Sequence, residues 1–230
     1  MLIIGHRGSA GTSPENTLAS FEEAIRAGVK MIELDVHLCA GGELIVIHDE
    51  KVNRTTNGKG RVGNKTVAQL QKLDAGQGEP LPTLRQVLQQ VNRRAKINIE
   101  LKGRHVAVPV YNLLEEFKSR HGWKTGDFCI SSFDHDRLLR FRQWDKQTKI
   151  GILYNGKPKG FVVLAQRLQA SSINIPLHVA DEKTIAKIHT ENLEAWVYTV
   201  NKPEDLLHMK KLGADAVFTN FPEKMLHLSS

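Results

Sequence analysis

Short apolar runs alternate with longer amphipathic runs along the chain, and this alternation constrains the fold more than any other feature of the sequence. The apolar runs predict strands at residues 2–5, 31–37, 44–47, 97–101, 128–131, 150–153, 172–175, 195–200 and 216–219. The amphipathic runs predict helices at residues 17–27, 84–92, 106–120, 134–144, 161–169, 181–191 and 203–212. Strands that alternate with helices form a parallel sheet with helical crossovers, so we expect an α/β fold.

The third predicted strand breaks the alternation, because only the tight connection Ala40-Gly41-Gly42-Glu43 separates it from the second. A connection this short cannot cross over a sheet, so the third strand is expected to fold back antiparallel on the second. Counting outward from the two glycines places Cys39 opposite Leu44 and His48 opposite Asp35, to within one residue. Eight parallel strands remain, which predicts a (β/α)8 TIM barrel with its active site at the carboxyl ends of the strands.

Residues 53–81 lie between this hairpin and the next predicted helix, and they show no convincing hydrophobic period. Long connections of this kind are commonly functional loops, so we expect a short capping insertion, or lid, over the barrel mouth. The length of the chain otherwise favours one domain over residues 1–230, and 40% hydrophobic residues are enough to fill its core.

The formal net charge of +7 favours anionic ligands in general, including phosphate esters, lipid headgroups and nucleic acid. The basic residues are scattered and form no continuous stripe, which argues against nucleic acid as a partner. Cys39 and Cys129 adjoin apolar runs far apart in the chain, so we expect small buried side chains. The sequence shows no signal peptide and no apolar run of bilayer-spanning length, so we expect a cytoplasmic protein without stable membrane insertion.

Charged residues gather at the ends of three predicted strands: His6 and Arg7 after the first, Glu33 and Asp35 in the second, and His48 after the third. Glu33 and Asp35 are two residues apart, so on a strand they face the same side and can share one hard cation. Arg7 is suited to neutralise the charge of a phosphate, and the two imidazoles are suited to act as acid and base. Together these residue types indicate metal-assisted attack on a phosphate ester.

The same residues belong to an ordered set of motifs that spans nearly the whole chain: His6-Arg7-Gly8, Pro14-Glu15-Asn16-Thr17, Phe21, Ala24, Gly28, Glu33-Leu34-Asp35-Val36, His48-Asp49, Arg54-Thr55-Thr56, Pro82-Thr83-Leu84, Asn98-Ile99-Glu100-Leu101-Lys102, Ser131-Ser132-Phe133 and Thr199-Val200-Asn201. In this set the sequence resembles the glycerophosphodiester phosphodiesterases. The resemblance implies one divalent cation, Mg2+ or Ca2+, and hydrolysis of glycerophosphodiesters to sn-glycerol 3-phosphate and an alcohol. Similarity to the related phospholipase C enzymes implies that the glycerol 2-hydroxyl attacks first and that water then opens a cyclic phosphate.

Further residues receive roles with the help of this resemblance. The predicted metal site needs a third oxygen donor, and Glu100 is the ligand that the resemblance implies; the alternative is a surface ion pair with Lys102. With Glu100 on the metal, Lys102 becomes a second cation for the phosphate. Helix-start chemistry explains Asn16 better than it explains Glu15, and the resemblance favours Glu15 as a residue that orients Arg7 or the metal ligands.

Aromatic residues near the barrel mouth, Phe133 among them, are expected to contact the substrate. Members of the family usually carry tryptophan directly before Thr-Val-Asn, where it packs on the glycerol; here that position is Tyr198, and the tryptophan stands two residues earlier as Trp196. We assign both to the lumen, since residues two apart on a strand share a face. Asn220 stands where aspartate is common, which removes one negative charge from the rim. His37 continues the alternation of the acidic residues, but we expect it to lie in solvent.

The leading hypothesis is therefore metal-dependent hydrolysis of glycerophosphodiesters, with His6 and His48 as acid and base in an order that the sequence does not reveal. Two alternatives stay open: a lysophospholipase D-like activity on lysophospholipids, and a barrel that binds phosphorylated ligands without catalysis. The polar segment 53–81 argues against the first, and the paired histidines argue against the second. The expected partner is a small-molecule substrate, and the expected oligomeric state is a monomer or homodimer.

Overall fold

The computed structural model describes residues 1–229, and within them eight parallel strands close into a barrel. The strands are β1 (Leu2–Gly5), β2 (Met31–Leu38), β3 (Leu44–Val46), β4 (Lys96–Leu101), β5 (Phe128–Ser132), β6 (Lys149–Leu153), β7 (Ser172–Pro176), β8 (Glu194–Tyr198) and β9 (Ala216–Thr219). The ring follows the order β1, β2, β4, β5, β6, β7, β8, β9, and β9 pairs with β1 to close it. β3 lies outside the ring and pairs antiparallel with β2. The predicted TIM barrel is confirmed.

The helices are α1 (Leu18–Ala27), α2 (Val67–Leu70), α3 (Leu84–Val91), α4 (Ala107–Arg120), α5 (His135–Trp144), α6 (Phe161–Leu168), α7 (Glu182–His189), α8 (Pro203–Leu212) and α9 (Pro222–Ser229). Local chemistry sets their ends, as α1 illustrates. The Thr17 hydroxyl accepts a hydrogen bond from the backbone N–H of Ser20 at its start, and Gly28 ends it in the left-handed region at φ 100°. Within residues 1–229, no helix combines the length and the apolar character that crossing a membrane requires.

Strand β4 illustrates how the sequence separates the core from the site. Ile97, Ile99 and Leu101 are buried in the layer between the strands and the helices. The alternate residues Asn98 and Glu100 line a cavity inside the barrel. Because successive side chains of a strand point to opposite faces, an apolar and polar alternation builds the core and brings polar groups to the interior at the same time.

The hairpin between β2 and β3 forms as predicted, and its register differs from the predicted pairing by one residue, which is within the predicted tolerance. Leu38 pairs with Leu44, and the backbone N–H of Ile47 donates to the carbonyl of Asp35. His48 therefore falls one residue beyond the position opposite Asp35. Cys39, which is expected opposite Leu44, instead pairs with Glu43 across the turn.

The segment 53–81 packs mainly on this hairpin. Its apolar residues form a small separate core with hairpin side chains: Cys39, Ile45, Ile47, Val52, Val62, Leu70, Ala75 and Leu81. The short helix α2 begins in a capping box formed by Thr66 and Gln69. The function of this segment as a lid stays a prediction. Cys39 and Cys129 are buried and free, as expected.

Candidate active site at the carboxyl ends of the barrel strands

A cavity of about 560 Å³ opens at the carboxyl ends of the strands. It brings together residues that are distant in the sequence, as the barrel prediction requires. Predicted site residues line much of its wall: His6, Arg7, Glu33, His48, Glu100, Lys102, Phe133 and Tyr198. The remaining lining residues are ones to which the sequence prediction gave no role: Asn98, Ser131, Leu153, Asn155, Thr199 and Phe218.

Three buried carboxylates form the predicted metal site. Glu33, Asp35 and Glu100 each present an oxygen, and these atoms lie within 4.8 Å of one another. Burial together with the negative charges of Asp35 and Glu100 raises the pKa of Glu33 well above its ordinary value. Burial and the charge of Asp35 likewise raise the pKa of Glu100 to about 7. Three crowded acids of this kind favour a bound cation over three protons.

The oxygen atoms of Asp35 show how a divalent ion would fit. Its Oδ2 accepts a hydrogen bond from the Asn16 amide at 3.0 Å and lies 3.3 Å from the Nε of Arg7. Its Oδ1 is buried and has no hydrogen-bond donor within residues 1–229. Hard oxygen ligands suit Mg2+ and Ca2+, so the three carboxylates fit such an ion.

Arg7 is fixed between the acids and the cavity. Its backbone lies in the left-handed region at φ 52°, and its N–H donates to Glu33 Oε2 at 2.9 Å. Its Nη1 donates to Glu15 Oε1 at 2.8 Å. Glu15 itself does not line the cavity, so its contact with Arg7 supports the predicted orienting role. The tight turn His6-Arg7-Gly8 therefore places the guanidinium of Arg7 at the wall of the cavity.

One ring nitrogen of His6 faces the acidic cluster, and the other forms a hydrogen bond with Asn220. Its Nδ1 donates to Asn220 Oδ1 at 2.7 Å, which leaves the Nε2 lone pair free, 3.9 Å from Glu33 Oε2. Burial, with the positive charge of Arg7, lowers the pKa of His6 to about 4. The ring is therefore neutral at pH 7 and able to accept a proton at Nε2.

His48 lies beside Lys102, which also contacts Glu100, and is held by three neighbours. Its Nδ1 donates to Asp49 Oδ1 at 2.5 Å, and its Nε2 accepts from the Nζ of Lys102 at 3.0 Å. Lys102 Nζ also lies 3.0 Å from Glu100 Oε1. His37, which we expect in solvent, is buried and donates from Nε2 to the His48 carbonyl at 3.0 Å. That expectation was wrong, because the hairpin covers the end of β2.

Phe133 and Tyr198 form an aromatic wall beside these polar groups. Their rings meet edge to face with centroids 5.9 Å apart, and Lys102 Nζ lies 5.5 Å from the centre of the Phe133 ring. Trp196 faces the barrel interior, as predicted, but it does not line the cavity, which corrects the expected contact with the substrate. It packs on Phe218 inside the barrel, and its Nε1 donates to Glu194 Oε2 at the amino end of β8. Two residues advance a strand by about 6.6 Å, which carries Trp196 below the site.

Two residues that the prediction left without a role form the polar floor of the cavity. Asn98 and Ser131 are completely buried, and the polar atoms of their side chains have no hydrogen-bond partner within residues 1–229. Both lie two positions from predicted site residues, Glu100 and Phe133, so strand alternation would have identified them. They therefore leave unpaired polar groups in the wall of the cavity.

Comparison with known proteins gives a consistent result. The family model described as the glycerophosphoryl diester phosphodiesterase family matches residues 6–224. A glycerophosphodiester phosphodiesterase of Caldanaerobacter subterraneus subsp. tengcongensis is 35% identical over 99% of this chain and 97% of its own length. A glycerophosphodiester phosphodiesterase of Bacillus subtilis is 30% identical over 97% of this chain and 84% of its own.

Solved structures agree in fold over the whole chain. An Oleispira antarctica phosphodiesterase, solved in complex with the product sn-glycerol-3-phosphate, has a TM-score of 0.92 and 28% identity, covering 100% of this chain and 96% of that one. A glycerophosphodiester phosphodiesterase of Thermotoga maritima has a TM-score of 0.83 and 29% identity, with 99% and 98% of the two chains covered. With the family match over nearly its full length, this chain belongs to the glycerophosphoryl diester phosphodiesterase family of hydrolases.

Proposed function

We propose that the protein hydrolyses glycerophosphodiesters to sn-glycerol 3-phosphate and an alcohol, with one divalent cation, Mg2+ or Ca2+. One observation carries the proposal: two histidines with differently bonded Nδ1 atoms flank a buried three-carboxylate cluster, in a cavity that also holds Arg7 and Lys102. The related Oleispira antarctica phosphodiesterase, which was solved with sn-glycerol-3-phosphate bound, supports the product assignment.

The cationic groups are suited to bind the phosphate. Glu33, Asp35 and Glu100 would hold the divalent cation, which would supply Lewis-acid polarisation and charge neutralisation for the phosphate. Arg7, fixed by its acidic neighbours, is preorganised to stabilise the charge that develops on the phosphate. Lys102 exchanges its contact with His48 for the phosphate, which frees His48 Nε2 for proton transfer.

His6 is assigned as the first base and His48 as the first acid. The free Nε2 of His6 takes the proton of the glycerol 2-hydroxyl, whose oxygen attacks phosphorus. Once Lys102 has moved to the phosphate, His48 Nε2 takes up a proton from solvent; it gives this proton to the departing alcohol oxygen, which leaves the ring neutral and still hydrogen-bonded to Asp49 through Nδ1. Water then opens the cyclic phosphate with the roles reversed: His48 removes a proton from water, and His6 returns its proton to the 2-oxygen.

The test is turnover of glycerophosphocholine by His6→Ala and His48→Ala variants. Each loses a factor of about 10² to 10⁴ in kcat, the usual contribution of a general acid or base, while melting temperature and cation binding stay near wild type. His208→Ala, at an exposed position on α8, is the matched control and keeps full activity. Near wild-type kcat in either site variant would contradict the acid and base assignment.

The metal and the substrate class are tested separately. A chelator abolishes turnover and added Mg2+ or Ca2+ restores it; turnover that survives exhaustive chelation would remove the cation from the mechanism. Glycerophosphocholine, a lysophospholipid and bis(p-nitrophenyl) phosphate are compared under both ions. Preference for the lysophospholipid would favour the lysophospholipase D-like alternative, and binding without turnover of any of them would favour a non-catalytic barrel.

A further inference from the structure

Arg54 joins two parts of the active site that are distant in the sequence. It lies near the start of the segment 53–81, and its guanidinium forms hydrogen bonds with both Asp49 and Glu15. Nε and Nη2 donate to the Asp49 carboxylate at 2.7 and 3.1 Å. Nη1 and Nη2 donate to the Glu15 carboxylate at 2.8 Å each. Both pairs have the bidentate geometry that Arg forms best and that Lys cannot reproduce.

The two carboxylates that Arg54 holds each bind a residue of the active site. Glu15 Oε1 also accepts from Nη1 of Arg7, at 2.8 Å. Asp49 Oδ1 also accepts from Nδ1 of His48, at 2.5 Å. The same oxygen atoms thus serve Arg54 and a site residue, which makes a continuous chain from Arg7 through Arg54 to His48.

Arg54 is placed to orient these residues rather than to bind the phosphate itself. It does not line the cavity, and four of its N–H donors are directed at the two carboxylates. Its side chain is 47% exposed, so it lies at the rim. Although burial acts to raise the pKa of Glu15, hydrogen bonds from Arg54 and the charge of Arg7 lower it to about 2, so this carboxylate stays ionised.

We propose that Arg54 is a positioning residue that fixes the phosphate-binding guanidinium and the acid–base histidine in one relative orientation. This inference rests on the proposed function. Without Arg54, Glu15 and Asp49 can adopt rotamers that no longer bring their acceptor oxygens to Arg7 and His48. The relative orientation of Arg7 and His48 is then no longer fixed. Groups that must be held within fractions of an ångström respond strongly to such a loss.

The first test compares Arg54→Gln with Arg61→Gln. Arg61 lies in the same segment, is 56% exposed and forms its ion pair with Glu50 at 2.5 Å instead of with Glu15 or Asp49, so it is a matched control. Arg54→Gln is expected to lower kcat by about 10- to 100-fold, the usual effect of removing a residue that supports catalytic groups, with a much smaller change in KM. Arg54→Lys recovers only part of this loss, since an ammonium does not span both carboxylates.

A double-mutant cycle tests whether Arg54 acts through Asp49. The losses of kcat in Asp49→Asn and Arg54→Gln are expected to be strongly non-additive. The double variant should have a kcat only slightly below that of the more impaired single variant. Independent additive losses would contradict a shared pathway to His48. Melting temperatures of all variants accompany the kinetics, because a purely structural role would lower stability without a selective effect on kcat.

The His48 ring gives a readout that does not depend on turnover. Nitrogen NMR of the histidine side chains is expected to show the hydrogen-bonded Nδ1–H of His48 in the wild type and in Arg61→Gln, and a shifted or exchange-broadened signal in Arg54→Gln. An unchanged His48 signal, or a kcat equal to that of Arg61→Gln, overturns the proposal. If the wild type hydrolyses no glycerophosphodiester, the proposed function fails, and the NMR comparison still decides the role of Arg54.

Discussion

Glu100→Gln tests the electrostatic cost of the acidic cluster in the absence of metal. Burial and the charge of Asp35 raise the pKa of Glu100 to about 7 from an ordinary value of 4.5, although the positive charge of Lys102 acts in the opposite direction. The side chain is only 11% exposed, so water screens this effect weakly. A glutamine keeps nearly the same shape and carries no charge at any pH.

The sign and size of the effect follow from linkage. A carboxyl whose folded-state pKa exceeds its unfolded-state value binds its proton more tightly when folded, so stability is full below about pH 4.5 and falls as pH rises through 7. A difference of about 2.5 pKa units corresponds to roughly 3 kcal/mol. In chelator, the stability of Glu100→Gln relative to the wild type should therefore increase by about 3 kcal/mol between pH 4.5 and pH 8.

The assay is urea unfolding of both proteins in chelator across this pH range. Glu116→Gln is the control, because Glu116 pairs with Arg85 on the surface and its pKa is lowered; its stability difference should stay flat over the same range. Added Mg2+ or Ca2+ should stabilise the wild type at pH 8 and stabilise Glu100→Gln much less. A stability difference between Glu100→Gln and wild type that is independent of pH would refute the reasoning.

Three further substitutions test other parts of the site. Asn220→Asp places a negative charge against His6 Nδ1 and should raise the pKa of His6 from about 4, so the acid limb of the kcat/KM profile moves to higher pH; an unmoved limb contradicts the assignment of His6 as base. Phe133→Ala removes the ring beside Lys102 and should weaken substrate binding by about 1 kcal/mol, seen as a higher KM; an unchanged KM excludes the aromatic wall from binding. Gly8→Ala, at φ 84° and with its new Cβ clashing with α1, should lower the free energy of unfolding by more than about 2 kcal/mol in urea melts; wild-type stability would show that this turn tolerates a side chain.

The sequence predicts the barrel well because each strand has an apolar pattern of its own, and the alternation of strands with helices fits one known architecture, the TIM barrel. The apolar alternation of β4 identifies both its core face and its lumen face. Strand ends are less certain, as β8 shows: it ends at Tyr198, whereas the apolar pattern continues to Val200. The helices α2 and α9 were missed. The first is a single turn in a glycine-rich segment. The second begins at Pro222, and the sequence around it was interpreted only as part of the barrel rim.

The site illustrates which information a linear pattern lacks. Alternation gives the face of a residue, so Glu33 and Asp35 were predicted together and Trp196 was correctly assigned to the lumen. It does not give the height along the barrel, so Trp196 was wrongly expected to contact the substrate. His37 failed for a related reason, since its cover comes from the hairpin and not from its own strand. Arg54 belongs to a motif without periodicity, and its contact with Glu15 spans 39 residues, so only the folded chain reveals this contact.

In the proposed mechanism, the different anchors of the two histidines account for their different roles as base and acid. An amide oxygen fixes the tautomer of His6 without adding a negative charge, so burial beside Arg7 keeps the pKa of the ring near 4 and the Nε2 lone pair available. A carboxylate fixes the same tautomer of His48, so a negative charge lies beside that ring and a neutral amide lies beside the ring of His6. Asn220, which stands where aspartate is common, therefore makes the pair of histidines unequal. The proposed reaction removes one proton and delivers another, so it requires two histidines that differ in this way.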